Sequence, residues 1–395
     1  MKSGKTSVHS FAERIRGLVQ SDIRRMTREC ERLGGINLGQ GICDQPVPDL
    51  LKESAIAAVR GDLSIYSKFE GIDALRQRIA EKMAEYNGIR CHPDREVVVT
   101  VGSTGGFVAA CLALVDAGEE VIVFSPFYGY HVNILRLCQA ALKFVTIHPP
   151  DWRFDPKELE RAFSDRTRAV IINTPSNPCG KVFSREELDF IASLCQRHDA
   201  LAITDEIYEY ILYDGHRHVS IGSLPGMEDR TVTLSGFSKT YNMTGWRLGY
   251  AVGAAALMEK IGLLNDLLYI CAPTPLQHAV VTAFDLAPSY YERLRADYAR
   301  KLAVTCEACE EIGMRPFRPQ GAYYLLVDVS GLGLSSDLDA ANFLLTRAGV
   351  ASVPGSSFHA SPLDGKQQVR LCFAKQDAHL EEACRRLRRL AASPR

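Results

Sequence analysis

The sequence predicts an α/β fold in which a large domain holds a mostly parallel β-sheet flanked by helices, and a smaller α+β domain follows it. Two observations lead to this prediction. From about residue 94 to residue 255, short apolar β-rich runs alternate with turns and helical stretches, as expected for parallel strands buried on both faces. After residue 285 the pattern changes to one long charged helix followed by alternating strand-like segments. A chain of 395 residues is long enough to bury a core in both domains.

The strand candidates of the large sheet are runs rich in Val, Ile and Leu that stop at turn-forming residues. They are Val97–Val101, Glu120–Phe124, Ala169–Asn173, Leu201–Thr204 and Thr231–Leu234. A glycine-rich turn, Gly102–Gly106, follows the first of them and predicts a helix that begins near Phe107.

The smaller domain is predicted from residues 285–318, which have the pattern of one helix rich in Arg and Glu, and from the alternating segments Ala322–Asp328 and Gln368–Phe373. The N-terminal segment is too short to fold alone, so we expect it to complete this domain. The predicted boundaries are 1–45 for the N-terminal segment, 46–284 for the large domain and 285–395 for the small domain.

The charge balance argues against nucleic acid and membrane partners. Lys and Arg number 46 and Asp and Glu 47, so the net charge of −1 creates no field that would attract a polyanion. The first ten residues contain no apolar core of a signal peptide, and no uninterrupted apolar run reaches the ~18 residues of a membrane span. We therefore expect a cytoplasmic protein whose ligand is a small molecule.

The twelve cysteines are scattered through apolar segments, which favours buried free thiols in a reducing compartment over disulfides. One CxxC pair is present, Cys306 and Cys309, without a second pair or a histidine cluster that would complete a zinc site. We therefore predict no bound metal and place this pair on a helix surface.

Lys239 is the first candidate for chemistry, because it follows an apolar strand-like run and enters a loop lined by Ser and Gly. A lysine held away from water there has a lowered pKa, and its free amine can form a Schiff base. A surface lysine would fit the same position, so the assignment depends on other segments. The turn Gly102–Gly106 is one of these, since a strand-to-helix turn offers backbone N–H groups to a phosphate, although such turns also serve close packing.

Two further polar residues stand where predicted strands end. Asn177 lies in a turn dense with Asn, Pro and Gly, which would hold its amide rigidly as a hydrogen-bond donor. Asp205 ends an apolar strand, where a buried carboxylate requires a cationic partner such as a protonated pyridine nitrogen. A helix N-cap is the alternative explanation for Asp205.

Four segments together resemble the class I and II aminotransferases of the pyridoxal-phosphate (PLP) fold-type I superfamily. They are Asn177 in NTPSNPCG, Asp205 and Tyr208 in DEIY, Lys239 in SGFSKTYNMTGWRLGY, and Arg370 in VRLCFA. The likeness extends from about Ile36 to Phe373 and keeps the family's order. It implies a large sheet of seven strands and a homodimer.

The resemblance implies how the cofactor is held. Lys239 would carry PLP as a Schiff base and shuttle the substrate proton, while Asp205 would pair with the pyridine nitrogen. Asn177 and Tyr208 would hydrogen-bond the ring 3-oxygen, and Tyr128 would stack on the ring. The residues implied to bind the phosphate are Gly102, Ser103, Thr104, Ser238 and Arg247, joined by Tyr66 from the neighbouring subunit.

On the substrate side, the resemblance implies that Arg370 binds the α-carboxylate together with Asn177 and the backbone of Gly41. Departures from the family are Ile42-Cys43 in place of a common Glu-Pro, Gly236 in place of a hydroxyl residue and Cys179 in place of a common threonine. The first departure places an apolar wall beside the substrate. The other two are expected to weaken or reshape the cofactor site without disabling it.

The implied reaction is transamination, in which PLP carries an amino group from an L-amino acid to a 2-oxo acid in a ping-pong cycle. The alternative is a PLP-dependent lyase, synthase or oxidase, because a shared scaffold does not fix the reaction. A third hypothesis is a PLP-binding protein without enzymatic activity. It lacks support, because the expected residue type is present at every catalytic position of the family.

The preferred substrate is expected to be a neutral or aromatic amino acid. The candidate pocket residues Tyr269, Ile270, Ile42 and Tyr130 form a partly apolar set, and no arginine for a side-chain carboxylate is assigned in residues 265–275. Two histidines lie near the motifs, His131 and His359. Each is compatible with contact to the substrate or with a structural role.

Overall fold

A computed structural model describes residues 12–15, 18 and 22–391. The first ten residues, where a signal peptide was not expected, lie outside the described residues. The last four residues of the predicted small domain also lie outside them. Within the described residues the strands are β1 Ile36–Asn37, β2 Val97–Thr100, β3 Glu120–Ser125, β4 Ala141–His148, β5 Arg153–Phe154, β6 Thr167–Asn173, β7 Leu201–Asp205, β8 Thr231–Gly236, β9 Gly249–Gly253, β10 Arg315–Phe317, β11 Tyr324–Asp328, β12 Val350–Ala351, β13 Val353–Pro354 and β14 Gln368–Cys372.

The α-helices of the same described ranges connect and cover these strands. They are α1 Asp22–Arg32, α2 Asp49–Arg60, α3 Asp73–Lys82, α4 Gly102–Leu114, α5 Gly129–Leu137, α6 Pro156–Ala162, α7 Arg185–Arg197, α8 Ala255–Tyr269, α9 Thr274–Val281, α10 Pro288–Glu310, α11 Asp337–Phe343 and α12 Asp377–Arg388. None of the helices in the part of the chain that the structure describes is both long and apolar enough to cross a membrane.

The large sheet has the order β2-β9-β8-β7-β6-β3-β4-β5. β8, β7, β6, β3 and β4 pair in parallel, and β9 runs antiparallel between β2 and β8. The predicted α/β class with a mostly parallel sheet is therefore confirmed. The implied number of seven strands is wrong by one, because the two-residue strand β5 pairs antiparallel with the end of β4 and adds an eighth strand among the described residues.

Alternation along each central strand explains why these strands are almost wholly apolar. In β3, Val121 and Val123 contribute to one core cluster, whereas Ile122 and Phe124 contribute to another. Successive side chains of a strand point to opposite faces of its sheet, so both faces of β3 are covered. This burial holds the carboxyl ends of the strands in fixed positions. The polar residues at and just after these ends are therefore also held in place.

Two predicted helix boundaries are corrected by the structure. The helix expected near Phe107 already begins at Gly102, so the glycine-rich segment is its first turn and not a loop before it. The helix expected over 285–318 ends at Glu310, after which Gly313 adopts a φ of 85° and the chain enters β10. β10 pairs with β11, and this pairing outweighs the helical preference of the charged segment.

The second sheet has the order β10-β11-β14-β13, with antiparallel pairing throughout. β1 pairs in parallel with β12, so the N-terminal part of the chain joins residues from its C-terminal part. One core cluster combines Met26 and Cys30 of α1 with residues of α10, β11, β14 and α12. The domain boundaries at residues 45 and 285 stay predictions.

All twelve cysteines are free. Cys306 and Cys309 were predicted to lie on a helix surface, and this is wrong, because both are fully buried on α10. Residues three apart occupy one face of a helix, and here that face packs into the core cluster of the smaller domain.

Candidate active site

A cavity of about 420 Å³ lies where the carboxyl ends of the large-sheet strands meet β11 and β14. This is where ligands bind in open α/β sheets. Most of the residues singled out from the sequence line it, namely Gly41, Ser103, Thr104, Tyr128, Asn177, Asp205, Tyr208, Ser238, Lys239, Arg247 and Arg370. Residues from segments more than 300 positions apart in sequence therefore meet in one place.

Lys239 follows the end of β8 and enters the cavity partly buried. Its Nζ lies 5.9 Å from the ring centre of Tyr208 and 5.7 Å from that of Tyr323. Burial lowers the pKa of Lys239 from 10.5 to about 8, against the opposing effects of Cys372 and Asp205. The amine is thus far more available as a nucleophile or base near neutral pH than an ordinary lysine.

Asp205 ends β7 and is buried, with its carboxylate facing the cavity. Its Oδ2 lies 3.0 Å from Nε2 of His131, and its Oδ1 accepts a hydrogen bond from the backbone N–H of Ile207 at 3.3 Å. His131 packs in turn against Phe107 with ring centres 4.4 Å apart. Both sides of the histidine are thereby fixed, and the carboxylate is held in place.

His131, for which the sequence allows contact with substrate or a structural role, lies next to Asp205 and contacts its carboxylate. No local signal identified this role, because the two residues are 74 positions apart. His359, the other open histidine, is buried beside Gln368 at 3.2 Å and is not among the described residues that line the cavity.

The start of α4 forms a cradle of donors at one end of the cavity. Gly102 has a φ of 69°, and a Cβ built there would lie 2.6 Å from a guanidinium nitrogen of Arg247. No side chain of the described residues caps this helix, so its first N–H groups remain available to a ligand. Ser103 and Thr104 line the cavity beside Arg247, whereas Gly102 itself is buried and contributes the space that Arg247 occupies.

Arg370 lies at the other end of the cavity and is almost completely buried. It donates from Nη1 to Oδ1 of Asn177 at 2.8 Å and from Nη2 to the carbonyl of Gly39 at 2.6 Å. Its Nε has no hydrogen-bond partner among the described residues, and no carboxylate of those residues lies within 4 Å of it. A buried guanidinium with neutral neighbours and an unused donor is suited to bind a carboxylate ligand.

Tyr324 of the smaller sheet and Tyr208, which follows β7 of the large sheet, enclose this end of the site. The guanidinium carbon of Arg370 lies 4.3 Å from the ring centre of Tyr324, and Tyr324 shares a hydrogen bond of 3.2 Å with the hydroxyl of Tyr208. Burial raises the pKa of Tyr208 well above its ordinary value, so its hydroxyl keeps its proton. A Cβ at Gly41 would overlap the Tyr324 hydroxyl at 1.8 Å, so this position accommodates only glycine.

Several residues proposed from the sequence do not reach the cavity of this chain. Tyr66 is 75% exposed and does not line it. Tyr269 and Ile270 were expected in the substrate pocket, but Tyr269 packs against Gly105 and neither of them lines the cavity. Tyr269 is the last residue of α8 and Ile270 follows it, whereas Ile42 and Tyr130 do line the cavity as expected.

The two departures in the cofactor segments have packing explanations. A Cβ at Gly236 would lie 2.8 Å from the Cα of Gly249, so the close approach of β8 and β9 excludes a larger residue. Cys179 is buried with its Sγ 3.1 Å from the hydroxyl of Ser176, and it does not line the cavity. Neither residue removes a donor from the cavity wall.

Seven further residues, which were not selected from the sequence, also line the cavity. They are Ile23, Arg24, Gln40, Asn173, Ile207, Thr244 and Tyr324. Asn173 ends β6 beside Asp205 in the paired register, and its Oδ1 accepts from the backbone N–H of Asn177 at 2.7 Å. Asn173 could have been selected from the sequence, because it is a polar residue at the end of a predicted strand. Ile23 and Arg24 lie on α1, and no sequence pattern marks them as site residues.

Comparison with known proteins identifies the family. Residues 34–387 match the model of the aminotransferase class I and II family. Kynurenine--oxoglutarate transaminase 1 from Homo sapiens is 35% identical over 387 residues, which cover 90% of this chain and 92% of that protein. Aromatic-amino-acid aminotransferase 2 from Thermococcus litoralis is 33% identical, with coverage of 96% and 98%.

A solved structure agrees with this match. YbdL from Escherichia coli, for which a methionine aminotransferase function was identified, superposes with a TM-score of 0.92 at 32% identity. The superposition covers 97% of this chain and 100% of that one. Sequence and structure therefore agree over nearly the whole length, and the chain is an enzyme that belongs to the class I and II aminotransferases.

Proposed function

We propose that this enzyme is a PLP-dependent aminotransferase that moves the amino group of a neutral or aromatic L-amino acid to a 2-oxo acid in a ping-pong cycle. The observation that carries the proposal is one cavity in which an amine of lowered pKa, Lys239, faces a buried carboxylate, Asp205, with a buried and partly unpaired guanidinium, Arg370, at the far end.

The donors of the cavity fit PLP. Its phosphate would be held by Ser103, Thr104, Ser238 and Arg247 at the start of α4, where free N–H groups and a cation favour a dianion. The space that Gly102 leaves for the guanidinium supports this assignment. When bound, PLP supplies an electron sink for the substrate Cα carbanion.

The opposite side of the ring would be held by residues at strand ends. Asp205, fixed by His131, would pair with the ring nitrogen and keep it protonated. Tyr208 would donate its retained proton to the ring 3-oxygen, together with the amide of Asn177. Tyr128 lines the same space and would stack on the ring.

Lys239 would form the covalent link to the cofactor and then act on the proton of the substrate. With a pKa of about 8, its Nζ is neutral in a sizeable fraction of molecules near pH 7.5, so it can take the α-proton and return it. The adjacent rings of Tyr208 and Tyr323 cover one side of Nζ and limit the access of water to that atom.

Arg370 would bind the α-carboxylate and so orient the substrate. Its contact with Asn177 fixes the guanidinium plane, which suits bidentate binding of a carboxylate. The unpaired Nε supports the view that the pocket is complete only when an anion is bound.

The remaining wall of the cavity favours neutral and aromatic side chains. Ile42 is 43% exposed and Tyr130 is 38% exposed, and both line the cavity next to Ile23. A substrate side chain that covered these residues would gain about 25 cal/mol for each Å² of apolar surface buried. Among the relatives, those named for kynurenine, aromatic amino acids and methionine agree with this preference, whereas an aspartate aminotransferase from Thermus thermophilus does not.

We also propose a homodimer in which Tyr66 reaches the phosphate site of the neighbouring subunit. Tyr66 and Ile65 are 75% and 79% exposed, and Leu267 of α8 is 73% exposed. Asn265 of α8 donates to the carbonyl of Phe69 at 3.0 Å, which brings these two segments to one side of the molecule. A cytoplasmic location is proposed as well, supported by the twelve free thiols.

A donor panel tests the substrate assignment. PLP-loaded enzyme is offered single L-amino acids, and release of each matching 2-oxo acid is measured with 2-oxoglutarate as acceptor. We expect methionine and phenylalanine to have higher kcat/KM than aspartate. A preference for aspartate over every neutral amino acid would contradict the assigned side-chain pocket, and formation of ammonia or peroxide in place of an aminated acceptor would contradict transamination.

A further inference from the structure

Tyr324 lines the cavity from β11 and has no task in the proposed reaction so far. In the antiparallel pair of β11 and β14, Arg370 lies opposite Leu326, and Tyr324 is two residues away from Leu326 on the same face of the sheet. Diagonal neighbours of this kind are within reach of an aromatic and a long side chain. The register of the smaller sheet therefore places Tyr324 beside Arg370.

The ring of Tyr324 contacts the guanidinium of Arg370. The guanidinium carbon lies 4.3 Å from the ring centre of Tyr324 and 4.6 Å from that of Phe358. All three side chains are buried, and a cation–π contact is stronger when it is removed from water. These contacts add to the hydrogen bonds from Arg370 to Asn177 and to the Gly39 carbonyl. The two rings therefore help to fix the position from which Arg370 meets a carboxylate.

The hydroxyl of Tyr324 contacts a different binding group, the hydroxyl of Tyr208, at 3.2 Å. A tyrosine hydroxyl has one proton to donate and can also accept. Once Tyr208 donates its proton to the ring 3-oxygen of PLP, only the proton of Tyr324 can form the hydrogen bond between the two hydroxyls. Burial raises the pKa of Tyr324, so that proton is retained. A hydroxyl that accepts one hydrogen bond is a stronger donor in the next.

We propose that Tyr324 is a positioning residue with two roles, in which its ring helps to hold Arg370 and its hydroxyl donates to Tyr208 when PLP is bound. This inference rests on the proposed PLP chemistry and adds a residue that links the α-carboxylate site to the ring site. Because the two roles belong to different parts of one side chain, substitutions separate them. Tyr324→Phe removes only the hydroxyl, Phe358→Leu removes only a ring, and Tyr324→Leu removes both the hydroxyl and a ring.

The visible absorbance of PLP-loaded enzyme between pH 5 and pH 10 tests the hydroxyl. A weaker donor leaves more negative charge on the ring 3-oxygen, which favours protonation of the nearby nitrogen that joins Lys239 to PLP. We therefore expect Tyr324→Phe to raise the midpoint of the absorbance change by about 0.3 pH unit or more. Phe358→Leu should not move the midpoint, because it removes no hydroxyl. Tyr213→Phe is the matched control, since it removes a buried hydroxyl that donates to the carbonyl of Ala322 at 2.6 Å.

Binding of 3-phenylpropanoate, a carboxylate without an amino group, tests the ring. Its Kd for each PLP-loaded variant is measured from the change in the same absorbance at one fixed pH. We expect Tyr324→Leu and Phe358→Leu each to weaken binding about ten-fold, since each removes one ring from the guanidinium of Arg370. Tyr324→Phe keeps its ring and should change the Kd by less than about two-fold. If Tyr324→Leu does not fold, Tyr324→Met removes the ring with a smaller loss of volume and tests the same point.

An unshifted midpoint in Tyr324→Phe, or an equal shift in Tyr213→Phe, would overturn the role of the hydroxyl. Weaker binding of 3-phenylpropanoate by Tyr324→Phe without a shift would overturn it too, because the hydroxyl would then contact the carboxylate and not Tyr208. An unchanged Kd in Tyr324→Leu or Tyr324→Met would overturn the role of the ring. Failure of wild type to form any visible PLP band would overturn the proposed function itself, so the two kinds of failure are distinguishable.

Discussion

The reactivity of Lys239 depends on where its Nζ lies, near the adjacent rings of Tyr208 and Tyr323, whose centres are 5.9 and 5.7 Å away. Burial disfavours the ammonium form and lowers its pKa to about 8. Arg370 is also buried, but an arginine keeps its charge, so its N–H groups require hydrogen-bond acceptors. It finds Asn177 and the Gly39 carbonyl, and one donor remains for a ligand.

The lowered pKa of Lys239 predicts how the apoenzyme takes up PLP as pH changes. The neutral amine is the reactive form, so the rate of covalent capture should rise about ten-fold per pH unit below pH 8 and level off above it. Stopped-flow absorbance of apoenzyme mixed with PLP from pH 6 to pH 10 measures this rate. A rate that kept rising beyond pH 10, as for a lysine of pKa 10.5, would contradict the burial argument. Lys239→Arg should show no covalent phase at any pH.

Between elements, a buried charge cluster anchors the chain directly after Asp205. We use this name for Lys82, Glu206, Glu209 and His218. Lys82, the last residue of α3, lies 2.6 Å from Glu209, and His218 lies 2.8 Å from Glu206. Burial alone would raise the pKa of Glu209, but Lys82 and His218 outweigh it and the pKa is lowered. Its contribution to stability is therefore present above pH 4.5 and is lost as pH falls through its folded pKa.

Removal of the cation from this cluster should be costly. Lys82→Met leaves the carboxylate of Glu209 buried without its partner, and we expect the free energy of unfolding at pH 7 to fall by about 3–5 kcal/mol. Lys52→Met is the control, because Lys52 pairs with Asp49 at 2.5 Å on the surface, with side chains 43% and 89% exposed. That pair should contribute less than about 1 kcal/mol. Urea unfolding measures the free energy of unfolding of both variants. If both lost the same amount of stability, the ion pair of Lys82 and Glu209 would not be what stabilises the cluster.

The contact between β9 and the start of α4 allows a test of the phosphate cradle. A Cβ at Gly249 would lie 2.5 Å from the backbone nitrogen of Ser103 and 2.6 Å from the carbonyl carbon of Gly102. Backbone atoms cannot move aside cheaply, so Gly249→Ala should displace the first turn of α4 and weaken PLP binding at least about ten-fold.

Gly245→Ala is the matched control for this substitution, because a Cβ there meets nothing within 4 Å. PLP titration of each apoenzyme, followed by tryptophan fluorescence, gives the two affinities. If Gly249→Ala bound PLP as tightly as Gly245→Ala, the first turn of α4 would not be the phosphate site.

At the scale of the whole molecule, the exposed apolar residues near Tyr66 predict an interface with a second copy. Leu267→Glu places a charge on this surface, where the leucine is 73% exposed, and should shift the protein from dimer to monomer. Leu363→Glu changes an equally exposed leucine, at 76%, in the C-terminal part of the chain and should leave the dimer intact. Sedimentation velocity distinguishes the two masses, and a monomeric wild type would contradict the proposed dimer.

The sequence allowed prediction where the signal is local. The apolar runs predicted the central strands to within a few residues. Asp205 ends one such strand, and Asn177 and Lys239 stand four and three residues after the ends of two others. Their meeting in one cavity follows from the common direction of the parallel strands. The predicted number of seven strands was wrong because of β5. This strand has only two residues and forms by pairing with the end of the edge strand β4.

The residues that sequence reasoning missed reach the site from distant segments. Tyr324 comes from the smaller sheet and contacts Tyr208 across 116 positions, and Arg24 comes from the first helix. Their side chains carry no motif, and only the packing of the N-terminal and C-terminal parts against the large sheet brings them to the cavity. Such contacts depend on tertiary structure and are not visible in any one segment.

The central claim is that amino transfer in this cavity requires Lys239, and a single turnover tests it most directly. PLP-loaded enzyme is mixed with L-methionine in the absence of an acceptor, and the 2-oxo acid released per subunit is counted, followed by addition of 2-oxoglutarate. The account predicts one 2-oxo acid per active subunit, no free ammonia, restoration of the starting absorbance by the acceptor, and none of these events in Lys239→Ala. Full turnover by Lys239→Ala, or release of ammonia in equal amount to the 2-oxo acid by wild type, would contradict it.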